Sequence, residues 1–308
     1  MTKVFIDGSQ GTTGLRIFDR LSAREDIELI TLPEELRKDL DARTNAINSS
    51  DITFLCLPDA AAIEAVSHAN ENVRILDTST AHRTSEQWIY GFPEVFENGF
   101  ETVKNANRVA VPGCHASGFI ALVKPLVDAG VLPKAALITC HSITGYSGGG
   151  KKMIAEYEDI GRPDIFNAPR QYALAQQHKH LKEMKAISGI DNAPVFCPIV
   201  ADFYSGMCVT VPLFKEQLKN ADINDIKAIY KNKYNGPIVE FCSEIGENGL
   251  VSANGIMGKD SMQIFVEGNE DRILLIARYD NLGKGASGAA LQCMNIMIGT
   301  DITTGLNI

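Results

Sequence analysis

The sequence predicts an α/β protein, in which a Rossmann-type, doubly wound parallel sheet is joined to an α+β domain with a mixed, largely antiparallel sheet. The first observation behind this prediction is the alternation of short apolar strands with helical segments up to residue 113. The second is a glycine-rich turn, GSQGTTG, that follows the first strand and precedes the first helix. The third is a change of pattern after Cys114, where strands succeed one another with turns between them.

The first half alternates strands and helices, as a doubly wound sheet requires. The first strand is predicted at residues 3–7, and Leu15, Phe18 and Leu21 lie on one face of the helix that follows. Four more strands are predicted, at residues 27–32, 51–58, 73–80 and 107–113. Each is followed by, or alternates with, a segment that can be helical, which favours parallel strands joined by helical crossovers.

The glycine turn has the spacing of a dinucleotide-binding loop. Gly8 allows a tight turn after the strand, Gly11 lets a phosphate approach the backbone, and Gly14 lets the helix pack closely on the strand. Free N–H groups at the helix start would hold a pyrophosphate. The alternative is a glycine turn without a ligand. The candidate cofactor-binding residues of this loop are Gly8, Ser9, Gly11, Thr12, Thr13 and Gly14.

The choice between NAD and NADP depends on the residues after the second strand. Proteins that bind NAD usually carry an acidic residue where this strand ends. Glu34 and Glu35 come slightly later than that position, while Arg37 and Lys38 could meet a 2′-phosphate. These residues leave both cofactors open and favour NADP.

Cys114 lies where an apolar strand ends in Pro112 and Gly113 and a helix begins. Apolar side chains recur at helical spacing over residues 119–127, and Gly130 would end the helix. Orphan backbone N–H groups and the positive end of the helix dipole favour a thiolate at a helix start. The other six cysteines fall in apolar strand or helix patterns and are predicted to be structural.

Six histidines are candidates for the proton-transfer partner that a cysteine nucleophile usually needs. His178 and His180 occur in the segment AQQHKHLKEM. If this segment is a helix, His180 and Glu183 share a face and His178 faces differently. A solvated polar helix is the alternative interpretation. His115 is expected to point elsewhere along its helix, and His141 is expected to have a satisfied role in the core.

The second half predicts a different architecture, with one helical face. Its tail, GKGASGAALQCMNIMIG, is rich in small residues and is typical of a closely packed helix. Near the beginning of the second half, a predicted strand ends in a glycine-rich loop. Ser147 to Gly150 of this loop could form a backbone cradle for an anion. Further strand patterns occur at residues 193–214, 236–242, 261–268 and 272–281.

The composition excludes several classes of protein. The net charge of −9 argues against nucleic acid or an anionic membrane surface as a partner. The chain has no run of about 18 apolar residues, and its first residues lack a signal-peptide pattern. Seven cysteines without a CxxC or CxxH pair suit free thiols in a reducing cytoplasm, with no disulfide framework and no metal site. We therefore expect a cytoplasmic protein whose main partner is neither nucleic acid nor a membrane surface.

Eight segments, taken in this order, resemble one known family. They are GSQGTTG, LCLPDAAA, DTSTAHR, YGFPE, VPGCHASG, ITGYSGGGK, HKHLKEM and DNLGKGASGAALQCMN. They make nearly the whole chain similar to the N-acetyl-gamma-glutamyl-phosphate reductases, in their short-chain form. That family belongs to a wider set with aspartate-semialdehyde dehydrogenase and glyceraldehyde-3-phosphate dehydrogenase. The set shares a Rossmann domain, a cysteine at a helix start and a final helix packing back near the cofactor.

The resemblance implies that NADPH reduces N-acetyl-gamma-glutamyl phosphate to N-acetylglutamate 5-semialdehyde and phosphate, in arginine biosynthesis. Cys114 would attack the acyl phosphate and form a thioester, which receives a hydride from the cofactor. His180 would be the acid/base with Glu183 beside it, and His178 would contact the substrate. The two histidine roles could be exchanged.

Further roles follow from the same resemblance. Arg83 would bind the substrate phosphate or a carboxylate, unless it is a surface arginine. Ser79 ends a predicted parallel strand, the edge where ligands collect in such sheets. Ser147 is a further substrate-binding candidate. Asn281 would hold the nicotinamide carboxamide, unless it is only a turn residue.

The predicted domains are an NADP-binding domain, residues 1–113 with the C-terminal helix 284–308, and a catalytic, substrate-binding and oligomerisation domain, residues 114–283. The family commonly forms homo-oligomers through the sheet of the second domain, so we expect a dimer or tetramer. Two alternative functions remain: aspartate-semialdehyde dehydrogenase, with the same thioester chemistry, and a regulator that binds NADP without turnover. The HxHxxE segment and VPGCHASG favour the acetylglutamyl enzyme over the first alternative. The second gives no reason for Cys114, His180 and Asn281 to occur together.

Overall fold

The structure, a computed structural model, describes residues 1–308. The chain divides into two compact units. The first contains Met1–Pro112 and Ala286–Leu306, and the second contains Gly113–Gly285 and Asn307–Ile308.

The secondary structure alternates through the first unit and becomes strand-rich in the second. In chain order the elements are β1 Thr2–Asp7, α1 Thr12–Ser22, β2 Ile27–Ile30, α2 Leu40–Asn48, β3 Ile52–Leu55, α3 Asp59–His68, β4 Arg74–Asp77, β5 Ile89–Tyr90, α4 Gly99–Asn105 and β6 Arg108–Ala110. They continue with α5 Cys114–Asp128, β7 Thr139–Gly145, α6 Gly150–Glu158, β8 Arg170–Gln171, α7 His180–Ser188, β9 Val195–Ala201, β10 Met207–Phe214, α8 Ile223–Lys233, β11 Val239–Phe241, β12 Met262–Gly268, β13 Arg272–Tyr279 and α9 Gly288–Ile298. A π-helical turn, Gly283–Ser287, leads directly into α9.

The first unit contains a six-stranded sheet in the order β2-β1-β3-β4-β6-β5, and all of its strand pairs are parallel. β2 lies on one side of β1 and β3 on the other, so the direction of the crossovers reverses at β1. Ligands of open parallel sheets bind at such a reversal, outside the carboxyl ends of the strands. The glycine turn that follows β1 therefore lies at the expected edge.

Helices cover both faces of this sheet. α1, α4 and α9 pack on the face that carries Val4 and Phe54. α2 and α3 pack on the opposite face, which carries Phe5 and Leu55. Side chains alternate along each strand, so a sheet that is buried on both faces needs nearly continuous apolar strands. Residues 4–6 of β1, VFI, and residues 52–55 of β3, ITFL, have this composition. This confirms the predicted doubly wound parallel sheet.

The second unit contains a seven-stranded sheet in the order β11-β12-β13-β10-β7-β9-β8. The pairs of β10 with β7 and β13, of β12 with β13 and of β8 with β9 are antiparallel. The pairs of β7 with β9 and of β11 with β12 are parallel. The prediction of a mixed, largely antiparallel sheet is confirmed.

The two faces of the second sheet differ. α5 packs against β10 and β13 on one face, and most of its residues are buried. On the other face, here called the open face, residues 242–253 cover one part, while Ile143, Val195, Phe214 and Leu274 are 38–60% exposed. His141 also lies there and is exposed, so its predicted role in the core is wrong. The alternation of β7 places Cys140 and Ser142 under the helices and turns His141 away from them.

None of the helices has the length and apolar character that a bilayer crossing requires.

Candidate active site

A cleft of about 820 Å³ opens in the first unit beside the glycine turn. Gly8 to Gly11 form one wall, and Thr31 and Leu32, directly after β2, line another part. Leu57 and Pro58, after β3, also contribute. The cleft therefore lies along the carboxyl ends of β1, β2 and β3, where a doubly wound sheet binds nucleotides.

The three glycines differ in what they make room for. Gly8 has φ +86°, and a Cβ there would lie 2.3 Å from the Cys56 carbonyl oxygen. A Cβ on Gly14 would lie 2.3 Å from the Gly8 carbonyl oxygen, so α1 packs directly on the turn. A Cβ on Gly11 would meet only that oxygen, at 3.5 Å, an ordinary contact. Gly11 is thus not required by the packing of the protein itself, which suits a residue that leaves room for a ligand.

The start of α1 is free to receive an anion. Its N-cap residue, Gly11, makes no side-chain hydrogen bond, so no cap occupies the first-turn N–H groups of Thr12 and Thr13. Such N–H groups bind phosphate at the positive end of the helix dipole. The turn and the helix start therefore fit the pyrophosphate of a dinucleotide.

A buried ion pair supports the floor of this cleft. Arg43 of α2 donates from Nε to Asp7 Oδ2 at 3.0 Å, and its Nη2 lies 2.9 Å from the same oxygen. Burial raises the pKa of Asp7, although Arg43 opposes the shift. Asp7 ends β1, so the pair joins α2 to the strand that carries the glycine turn.

Cations and one carboxylate line the cleft beyond β2. Thr31 occupies the position directly after this strand. Glu34, Arg37 and Lys38 follow on a 3₁₀ turn and its end, and all three line the cleft. Arg37 Nε donates to the carbonyl of Leu32 at 3.3 Å.

The loop after β4 is held by its own polar groups. Ser79 donates from its N–H and its hydroxyl to Asp77, at 2.9 and 2.7 Å. His82 Nδ1 lies 2.6 Å from the same carboxylate, and its ring stacks on Trp88. Arg83 is 8% exposed and donates to the carbonyls of Val111 and Thr78. The interpretation of Arg83 as a surface arginine is therefore wrong.

Cys114 is the first residue of α5, as predicted, and Gly113 is its N-cap without a side-chain hydrogen bond. The Tyr279 hydroxyl enters the first turn of this helix. It donates to the Cys114 carbonyl at 2.5 Å and accepts the N–H of Gly118 at 3.0 Å. The hydroxyl therefore bridges two main-chain groups of the first turn and ties β13 to the residue that carries the thiol.

The π-helical turn approaches Cys114 closely. A Cβ on Gly285 would lie 3.1 Å from the Cys114 Cβ. Asn281, just before this turn, is 2% exposed, accepts the N–H of Gly206 and donates to Ser147 Oγ at 3.0 Å. Ser147 lies in a 3₁₀ turn, so the predicted glycine loop is helical there and α6 follows it.

The two paired histidines lie together, which differs from the prediction. α7 begins at His180, so His178 precedes the helix and does not lie on its opposite face. The His178 Nδ1 accepts the N–H of His180 at 3.1 Å, and the two ring centroids are 4.7 Å apart. Burial lowers the pKa of His178 to about 4. His180 is 4% exposed, so the alternative of a solvated polar helix is also wrong at this residue.

Glu183 joins α7 to the start of α5. Its Oε1 accepts the N–H of Gly113 at 2.7 Å, and the side chain is 2% exposed. The N–H of the residue before Cys114 is thereby satisfied by a carboxylate one turn along from His180.

His115 belongs to the same cluster as His178 and His180, which its expected direction along the helix did not indicate. Its ring centroid lies 5.6 Å from those of His178 and His180. Its Nδ1 lies 2.7 Å from Ser142 Oγ, and its Nε2 lies 2.7 Å from the Tyr172 hydroxyl. Burial lowers the pKa of His115 to about 3, so the ring is neutral.

The sequence signal for two members of this cluster is weak. Tyr172 follows β8, a two-residue strand that only its pairing with β9 defines. Ser142 is one of several polar residues in β7. Their position is set by strand pairing, which no short motif records.

Burial separates three of the other six cysteines from Cys114. Cys140, Cys208 and Cys293 are buried, while Cys114 is partly exposed, as are Cys56, Cys197 and Cys242. Burial raises the pKa of Cys208 to about 11, which disfavours a thiolate. Among His, Cys, Asp and Glu side chains, no group of three is arranged to hold a metal ion.

Both parts of the chain match family models of semialdehyde dehydrogenases. Residues 3–103 match the NAD binding domain of these enzymes. Residues 114–281, more than half of the chain, match their dimerisation domain.

Solved structures of similar fold include aspartate-semialdehyde dehydrogenase II from Vibrio cholerae. It has a TM-score of 0.70 at 16% identity, over 97% of this chain and 99% of that chain. Aspartate-semialdehyde dehydrogenase with NADP from Candida albicans has a TM-score of 0.66 at 14% identity, over 98% and 99%. At these identities the likeness establishes the fold.

Curated relatives are much more similar in sequence. The N-acetyl-gamma-glutamyl-phosphate reductases of Brucella ovis and Brucella abortus are each 44% identical to this chain over 306 residues. The alignments cover 96% of this chain and 99% of each relative. The agreement of these relatives with the two domain matches shows that the chain belongs to the N-acetyl-gamma-glutamyl-phosphate reductase family.

Proposed function

We propose that the chain catalyses the NADPH-dependent reduction of N-acetyl-gamma-glutamyl phosphate to N-acetylglutamate 5-semialdehyde and phosphate, a step of arginine biosynthesis. The observation that carries the proposal is the position of Cys114 in the first turn of α5, joined through Gly113 to Glu183 of the helix that begins at His180. Membership of the reductase family supports the choice of substrate.

Cys114 is the nucleophile. The open N-terminus of α5 favours its thiolate and offers N–H groups to negative charge. The thiolate attacks the acyl carbon, the bond from that carbon to the phosphate oxygen breaks, and phosphate leaves. An acyl thioester then remains on Cys114.

His180 moves the proton in the second half of the reaction. When bound, NADPH supplies the hydride that reduces the thioester carbonyl. His180 gives a proton to the resulting oxygen and takes it back when the C–S bond breaks and the aldehyde leaves. His178 suits this role less, because its Nδ1 already accepts the N–H of His180 and its pKa is lowered to about 4. We therefore assign His178 to substrate contact.

The remaining candidates bind the substrate and cofactor. Arg83 and Ser79 lie on the loop after β4, at the carboxyl edge of the parallel sheet, where the substrate's phosphate or carboxylate would bind. Asn281 holds the nicotinamide carboxamide in exchange for the bond it makes to Ser147. Release of that bond would also free the Ser147 hydroxyl for the substrate.

NADP is the cofactor that fits the cleft better. Directly after β2, where NAD-binding domains carry a carboxylate, this chain has Thr31. Arg37 and Lys38 line the cleft beyond it and would bind the 2′-phosphate, while Glu34 is the one acidic residue of that turn on the lining. A phosphate with two negative charges gains most from two adjacent cations.

We assign cofactor binding to the first unit, and catalysis and oligomerisation to the second. The open face of the second sheet carries exposed apolar side chains, among them Phe214 at 60% exposure. Such a face is typical of a protein interface, and the match to a dimerisation domain supports a second copy of this chain as its occupant. Seven cysteines without a disulfide support a cytoplasmic location.

The experiment that tests this function is an assay in the reverse direction. Purified protein is mixed with N-acetylglutamate 5-semialdehyde, phosphate and NADP, and the absorbance of the reduced cofactor is followed. We expect turnover by the wild type and none by Cys114→Ser. Cys293→Ser, which changes a buried thiol of α9, is the matched control and should remain active.

Three outcomes would change the proposal. Turnover of aspartate semialdehyde in place of the acetylated aldehyde would keep the mechanism and change the substrate. Binding of NADP without turnover of either aldehyde would favour a regulator. Turnover by Cys114→Ser at the wild-type rate would exclude the thioester mechanism.

A further inference from the structure

The side chains of Ser142, His115 and Tyr172 form a chain of hydrogen bonds that the thioester mechanism does not use. Ser142 Oγ lies 2.7 Å from His115 Nδ1, and His115 Nε2 lies 2.7 Å from the Tyr172 hydroxyl. His115 directly follows Cys114 in the first turn of α5. Ser142 is fully buried, whereas Tyr172 is partly exposed.

The direction of these hydrogen bonds follows from counting protons. A neutral imidazole has one N–H donor and one acceptor nitrogen. The only hydrogen-bond partner of the Ser142 hydroxyl is His115 Nδ1, and a buried hydroxyl that donates to nothing is costly. Ser142 therefore donates to Nδ1, which places the ring proton on Nε2. Nε2 then donates to the Tyr172 oxygen.

The consequence concerns the Tyr172 proton. Because the Tyr172 oxygen accepts from His115, its own O–H is not used in this bond and is available to a ligand. His115 and Cys114 share one helical turn, so the relay places the phenol relative to the thiol. Burial raises the pKa of Tyr172, and the charge on Cys114 raises it further, so the phenol stays protonated.

We infer that Tyr172 is a catalytic hydrogen-bond donor to the oxygen of the acyl group held on Cys114, and that Ser142 and His115 are positioning residues that direct its proton. This inference rests on the proposed function. A fixed donor aimed at an oxygen that becomes negatively charged stabilises that charge at little cost in reorganisation. It stabilises the oxygen in both halves of the reaction, before His180 transfers its proton.

The first test measures kcat and KM separately with N-acetylglutamate 5-semialdehyde, phosphate and NADP. Tyr172→Phe should lower kcat about 100-fold and change KM less than about threefold, because the donor acts on developing charge. Tyr234→Phe is the matched control, since its phenol donates to the Ala121 carbonyl further along α5. It should lower stability and leave kcat near the wild-type value.

The second test separates the relay from a merely structural role. His115→Gln keeps an N–H that can reach Tyr172, whereas His115→Phe removes it, so the glutamine variant should retain more of kcat. In the wild type, ¹⁵N NMR of the histidine rings should show the His115 proton on Nε2. Ser142→Ala should shift part of the population to the Nδ1–H form and lower kcat about tenfold.

Two results would overturn the inference: a wild-type kcat in Tyr172→Phe, or an Nδ1–H tautomer of His115 in the wild type. If the wild type does not turn over the aldehyde, the proposed function has failed instead. The tautomer measurement distinguishes that case, because it reports the relay without activity.

Discussion

Replacing Gly11 or Gly14 by alanine should separate two roles of the glycine turn, ligand access and packing. An alanine Cβ at position 14 would lie 2.3 Å from the Gly8 carbonyl oxygen. This distance is shorter than a van der Waals contact by about 1 Å, so either α1 or the glycine turn would have to move. Overpacking of this kind costs about 1–3 kcal/mol, against a helix-propensity gain of up to about 1 kcal/mol. We expect a net loss of about 1–2 kcal/mol in the free energy of unfolding, together with weaker NADPH binding.

Gly11→Ala should behave differently. Its Cβ would meet only the Gly8 oxygen at 3.5 Å, so the folded protein has room for it, and only the poorer N-cap should lower the free energy of unfolding, by less than about 1 kcal/mol. The methyl group would nevertheless occupy space through which a pyrophosphate approaches the start of α1. We expect the Kd for NADPH to rise at least about tenfold, which is about 1.4 kcal/mol.

The assay combines urea unfolding with titration of NADPH fluorescence for the wild type and both variants. Gly236→Ala is the control, because a Cβ there meets nothing within 4 Å. Wild-type affinity of Gly11→Ala for NADPH would refute the assignment of this turn to the pyrophosphate. Wild-type stability of Gly14→Ala would refute the packing argument.

Four further predictions follow from the same structure. Cys114 should react with a thiol reagent at neutral pH faster than the other six cysteines, and bound NADP should change its rate; equal rates at all seven would argue against an activated thiol. Replacing both Arg37 and Lys38 by alanine should lower kcat/KM for NADPH about 10- to 100-fold and leave kcat/KM for NADH nearly unchanged. An equal loss with both cofactors would mean that these two residues do not bind the 2′-phosphate. Tyr279→Phe removes the hydroxyl that bridges two main-chain groups of α5, and urea unfolding should show a loss of about 1–3 kcal/mol in the free energy of unfolding. An unchanged free energy of unfolding would contradict a stabilising role of this hydroxyl. Burial lowers the pKa of His115 from 6.5 to about 3. As pH decreases through this range, the unfolded chain binds a proton at this ring and the folded chain does not, so the free energy of unfolding should fall. His115→Phe should reduce the slope of the free energy of unfolding against pH by about 1.4 kcal/mol per pH unit, and an unchanged slope would contradict a neutral buried ring.

Local patterns carried most of the fold prediction. The strands of the first half are short apolar runs, and a parallel sheet covered on both faces buries such runs regardless of details elsewhere. The glycine turn and the start of α5 are also local, because a tight turn and a helix N-terminus are defined by a few consecutive residues. The strand β5, Ile89–Tyr90, was not predicted, since two residues carry no period.

The errors among the histidines have a common cause. The helical interpretation of AQQHKHLKEM placed His178 and His180 on different faces, but α7 begins only at His180. Likewise, the apolar run around His141 does not reveal that one face of the second sheet is open. Whether a residue in such a segment is inside or outside depends on what packs on each face, which a period alone does not determine.

The sequence by itself determined the fold class, the glycine turn at the end of β1 and the start of a helix at Cys114, because each depends on neighbours along the chain. The tertiary structure alone decided which polar groups meet around that helix. Ser142 lies in β7, Tyr172 directly follows β8, and Tyr279 ends β13. Only the order and register of the second sheet bring these three residues to α5. Hydrogen bonds between such distant residues depend on distances of a few tenths of an ångström, which strand pairing sets and local propensity does not.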